Sequence, residues 1–162
     1  VFRAVEEARA AVAQGGSSPA ARAQPEAPFS AEEITRFLTR SAGAARSAGQ
    51  RAREAGQQVL AEDLAGIAAT LQAFSARAPA QPSGDLEELE RNLTALEEKL
   101  TASLLRATAV ELLAGFRAEV DRGLVPYRRK MANAEIESLE RRFLKNRLLE
   151  HYKIPRLSLF HL

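Results

Sequence analysis

Cysteine is absent, which removes disulfides, thiolate zinc sites and cysteine nucleophiles together. Imidazoles are almost as scarce: His151 and His161 are the only two, and neither has a second histidine at helical ligand spacing. A zinc centre or a Ser-His-Asp relay is therefore not expected. No Glu-x-x-His motif of the kind that builds di-metal helical bundles occurs either. The one Gly-rich stretch, QGGSSPAA, has no strand before it and no phosphate-binding Lys. The acidic pairs Glu32/Glu33, Glu87/Glu88 and Glu97/Glu98 fall at helix starts or on outward positions, where they read as solvated faces. These absences together predict a protein that is not an enzyme, with no catalytic, cofactor-binding or metal-ligating residues.

Long apolar runs are missing as well. The longest uncharged stretch in a helix-like region, Leu64 to Ala76, has 13 residues, too few to span a bilayer, so no transmembrane segment is predicted. Charge of one sign is also lacking: 23 basic and 21 acidic residues leave a net +2, which names no partner. Val1 stands where a start Met would, and is read as a processed N-terminus or a fragment boundary. With a pI near 9.3, this favours a mitochondrial protein, on the matrix side or peripheral to the inner membrane, over a bacterial cytoplasmic one.

What is present is helix-forming. Of 74 hydrophobic residues 32 are Ala and 21 are Leu, so helix propensity is high while the apolar area available for burial is small. An all-α fold follows: a long antiparallel helical hairpin, a basic C-terminal helix, an extended N-terminal arm and a C-terminal tail. Three segments divide it. Residues 1–29 hold a short helix (1–13) and a Pro/Gly-rich arm. Residues 30–121 hold the hairpin, and residues 122–162 the basic helix and apolar tail.

The hairpin is the sharpest pattern. Ser30 three residues before Glu33 forms a capping box, and Phe29 is spaced to staple onto Ile34. The following run from Ser41 to Gly56 has no large apolar residue, and Gly43, Gly49 and Gly56 each cost about 1 kcal/mol in a helix. That run is expected to be kinked or loose unless a partner approaches. Leu60, Leu64, Ile67, Leu71 and Phe74 then follow a 4, 3, 4, 3 spacing, and after the break APAQPSG, Leu86, Leu89, Leu93, Leu96 and Leu100 mirror it. Asp85 is the expected cap of the second arm. Opposed seams of this kind predict two helices closing around the Pro-rich loop, with Phe74 facing Leu86, Ile67 facing Leu93 and Leu60 facing Leu100. Past Leu100 the apolar phase changes, and the helix is expected to continue to about Gly123, before Pro126.

Residues 122–162 contain ten basic and four acidic groups, net +6, against −4 for the rest. Asn133 is the expected cap of a helix to about Tyr152, stopped by Pro155. Its apolar residues form two stripes, Ile136, Leu139 and Phe143 on one side and Leu144, Leu148 and Tyr152 on the other. With the tail residues Leu157, Leu159 and Phe160, these are candidates for docking a partner or for folding back on the hairpin. Arg128, Arg129, Lys130, Arg141, Arg142 and Lys145 are candidates for an anionic partner, nucleic acid or lipid. The expected function is a non-catalytic structural or accessory subunit of a larger multiprotein assembly, with a mitochondrial membrane complex as the example and a homodimer as one form. A nucleic-acid-binding or regulatory protein using the basic helix is the alternative.

Overall fold

A computed structural model describes residues 30–78 and 86–161. The described residues are all-α: no strand occurs, and the helices are α1 (Ala31–Glu54), α2 (Gln58–Arg77), α3 (Leu86–Ala107), α4 (Val110–Leu124) and α5 (Asn133–Tyr152). Short 3₁₀ turns follow at Val125–Tyr127 and Leu159–His161. The arm, the Phe29 staple and the Asp85 cap lie outside the described residues.

Helix α1 starts at the expected Ser30 cap. Ser30 Oγ accepts from the Glu33 amide at 3.0 Å, and Glu32 and Glu33 sit against the positive end of the helix dipole. The helix then runs unbroken through the small-residue stretch, so the expected kink is absent. The reason lies in its buried row, Ile34, Leu38, Ser41, Ala45, Ala48 and Ala52, which keeps a heptad spacing and is covered by α2. A methyl added at Gly49 would lie 3.4 Å from Leu64 Cβ and 3.5 Å from the Ala61 carbonyl, so the two backbones approach to the width of a small side chain. The approaching partner is the chain itself.

Gly56 lies outside the helix. It takes a left-handed φ of 79°, with the Gln57 amide on the Ala52 carbonyl (2.8 Å) and the Gly56 amide on Arg53 (3.1 Å). That is a Schellman ending, which turns the chain into α2 within three residues. Thr39 and Ser75 hydroxyls meet at 3.1 Å near the far end of the pair.

Behind α2 lies α3. Gln57 Nε2 donates to the Ala107 carbonyl (3.0 Å) and Arg106 reaches Asp63 (3.7 Å), so the start of α2 lies beside the end of α3. Of the ten seam residues, Leu60, Leu64, Ile67, Leu71, Leu89, Leu93, Leu96 and Leu100 are buried, and Phe74 and Leu86 pack half-buried on the same core. This burial is compatible with the mirrored seam.

The expected single helix from Leu86 to Gly123 is instead two. The break falls at Thr108 and Ala109: the Thr108 hydroxyl lies 2.6 Å from the Leu104 carbonyl and 2.8 Å from Tyr152 Oη, and Gln57 donates to the Ala107 carbonyl. The Ala107 carbonyl at the end of α3 is thereby paired, and the extended backbone of Ala109 (φ −57°, ψ 141°) starts α4 as a separate helix. The change of apolar phase past Leu100 coincides with this break. Helix α4 buries Phe116, Val120 and Leu124, and Val120 and Leu124 make a small second cluster with Ile136 of α5. Ala132, not Asn133, occupies the N-cap of α5, and no side chain caps it. At its other end Lys153 is left-handed (φ 58°) and Ile154 N donates to the Leu149 carbonyl (2.9 Å), ending the helix before Pro155.

Candidate functional site

The basic, two-striped α5 and its tail carry the sequence candidates, and the fold separates them into internal and external sets. Ile136, Leu148, Leu157 and Leu159 are buried in the chain's own core, and Leu139, Leu144 and Tyr152 are half-buried against it. Only Phe143 and Phe160 remain exposed, Phe160 at 80%. Leu157 and Leu159 of the tail are thus held by the chain's own core, whereas Phe160 projects from it.

What holds the tail is a pair of carboxylates on α3, one of which the sequence placed among solvated residues. Glu97 is 5% exposed. It accepts from the Leu157 amide at 2.6 Å, Arg156 Nε at 3.0 Å and Lys145 Nζ at 3.0 Å. Two turns earlier, Glu90 accepts from the Leu159 amide (2.8 Å) and the Ser158 hydroxyl (2.6 Å). Seven residues apart, these carboxylates lie on one face of α3 and hold the Leu157 and Leu159 amides of the tail. Burial, the largest single effect on Glu97, would raise its pKa; the Arg156, Leu157 and Lys145 donors together outweigh it and hold the carboxyl below its ordinary 4.5. It stays ionised, with its buried charge compensated. Arg156 also donates to Asn146 Oδ1 at 3.0 Å, tying the tail to α5.

The expected cationic stripe is likewise divided. Lys145 is committed to Glu97, and Arg128 bridges Asp121 (3.1 Å) and Glu140 (3.3 Å). Arg129, Lys130, Arg141 and Arg142 are exposed and form no ion pair among the described residues. Arg147 turns inward, stacking over the Phe116 ring at 4.4 Å and pairing with Glu119 at 2.8 Å.

Between α3 and α5 a groove of about 460 Å³ remains open. Ala102 and Leu105 of α3 and Leu144 and Leu148 of α5 form its apolar lining, and Arg141, Arg142 and Glu98 contribute charge. Its walls are fastened at two points, Glu97 to Lys145 and Thr108 to Tyr152. The groove therefore brings together residues from both sequence-derived candidate sets. Glu97, Glu90 and Thr108 escaped the sequence reading because their partners lie 44 to 69 residues away.

Among the described residues no cluster of His, Asp and Glu has the arrangement of a metal site, and no helix is long and apolar enough to cross a membrane. No protein-family model matches the chain, and no curated protein or solved structure matches it.

Proposed function

We propose that this chain is a non-catalytic helical subunit that joins a larger protein assembly through the groove between α3 and α5. One observation carries the reading: a partly open apolar lining lies beside two exposed guanidinium groups, Arg141 and Arg142, that form no ion pair among the described residues, whereas Lys145 and Arg147 of the same helix are paired with Glu97 and Glu119. An open apolar surface flanked by unpaired charge is the anatomy of a protein interface. The basic pI near 9.3 agrees with a mitochondrial membrane complex as that assembly, with the chain as a peripheral subunit.

The test is the mass of the tagged full chain recovered from its own cells by size exclusion with light scattering. A stoichiometric complex that dissociates in the double variant Arg141→Glu/Arg142→Glu supports the reading; a lone species of 17.6 kDa overturns it. A second reading, binding to nucleic acid, draws on the four exposed basic residues Arg129, Lys130, Arg141 and Arg142. Salt-dependent binding to a random duplex that Arg141→Glu/Arg142→Glu leaves untouched would remove these two residues from it.

A further inference from the structure

Resting on that reading, we propose that the α3/α5 groove takes one kind of occupant: an amphipathic helix of a partner protein whose apolar ridge is flanked by Asp and Glu. The apolar lining supplies the first half of the argument. On α5 the half-buried Leu144 is one helical turn from the exposed Arg141, while Leu148, which also lines the groove, is fully buried; on α3 the exposed Ala102 and half-buried Leu105 are one turn apart. Two helical walls with side chains at that spacing accept the i, i+3, i+4 ridge of a third helix.

Charge supplies the second half. On the α5 wall Lys145 is already neutralised by Glu97, whereas Arg141 and Arg142 are exposed without a carboxylate partner among the described residues. Carboxylates flanking the incoming ridge would complete them. A phosphate backbone fits less well, because the lining is apolar and Glu98 stands at the same groove. The fastenings at Glu97–Lys145 and Thr108–Tyr152 hold the walls in place before anything binds, so little ordering opposes association.

The probe is a labelled, end-capped peptide of about 18 residues, five helical turns, built from Leu, Ala and Glu with leucines on one face and glutamates beside them. Fluorescence anisotropy against the full chain compares it with the same peptide carrying Lys for Glu, and with a random DNA duplex. The Glu peptide is expected to bind at least about tenfold tighter than the Lys peptide, and Arg141→Glu/Arg142→Glu should abolish that preference. Ala102→Phe fills the groove from an exposed position and should weaken the Glu peptide by about tenfold. All three altered residues are exposed, so unchanged helical circular dichroism and melting temperature establish that both variants fold.

Equal binding of both peptides, or indifference to both variants, overturns the proposal. Duplex binding that is lost in the Arg variant, without any Glu-peptide binding, assigns the groove to nucleic acid and also overturns it. A stoichiometric cellular complex that persists while the peptide fails leaves the subunit reading standing and removes only this occupant. Peptide binding by a chain that is solitary in its cells removes the subunit reading instead.

Discussion

Two regions of this molecule are held together by opposite means. Helices α1 and α2 pack through Ala45, Ala48, Gly49, Ala61 and Ala68, with no buried charge between them and a connection of three residues. The tail and α5 are tied to α3 by Glu97 and Glu90, whose partners are 48 to 69 residues distant and charged or polar. In the first region, stability depends on the absence of volume: small side chains let backbones approach until dispersion and area burial accumulate along the whole length. In the second, it depends on a few directional contacts whose loss strands a charge. Close packing tolerates no added atoms, and a carboxylate clamp tolerates no missing ones.

The comparison breaks most readily at Glu97. Replacing it with Ala leaves the Leu157 amide unpaired and Lys145 and Arg156 without their anion, and is expected to cost about 3–5 kcal/mol at pH 7, measured by urea unfolding. Because the folded Glu97 titrates below its ordinary value, its contribution is complete above about pH 5 and is lost as pH falls through the lowered folded value. The gap between wild type and Glu97→Ala should therefore narrow in acid. A gap that stays constant down to pH 2 would show that the clamp acts by packing and not by charge.

Next in size is overpacking of the first region. Ala45→Leu inserts three carbons where α1 is fully buried against α2, and should lower stability by about 1–3 kcal/mol, while Gly43→Ala, whose added methyl meets nothing within 4 Å, should show no such clash. If Ala45→Leu is neutral in thermal melts, the helices are not in close register. Gly56→Ala forces a Cβ into the left-handed turn between them, with an expected loss of about 1 kcal/mol. The smallest effect has the opposite sign. Lys153 holds the same left-handed geometry at the end of α5, so Lys153→Gly should raise stability by about 0.5–1 kcal/mol in the same melts.

Legibility in the sequence follows the same division. The capping box at Ser30, the mirrored leucine positions and the endings near Gly123 and Pro155 were readable because each is a relation between residues a few positions apart. The small-residue stretch Ser41–Gly56 was readable as a surface wanting a close neighbour, but the neighbour's identity was not, since α2 follows it after a turn whose geometry rests on one left-handed residue. The break at Thr108 gave no local signal, and the contact Thr108 makes there is with Tyr152, 44 residues on. Glu97 looked like half of a solvated pair, since nothing in ELEELERNLTALEEKL marks which glutamate a distant tail will cover.

By itself, then, the sequence determined the helical class, the start of α1, the helix ends near Leu124 and Tyr152 and which leucines of the expected seam lie inward, because propensity, capping and heptad spacing act over at most a few turns. Only the tertiary structure decided that α1 is covered by α2, that the tail is clamped on α3, and that the cations of α5 divide into a neutralised set and an open pair beside the groove. Those outcomes depend on which surfaces meet across the fold, and burial and charge compensation exist only after they have met.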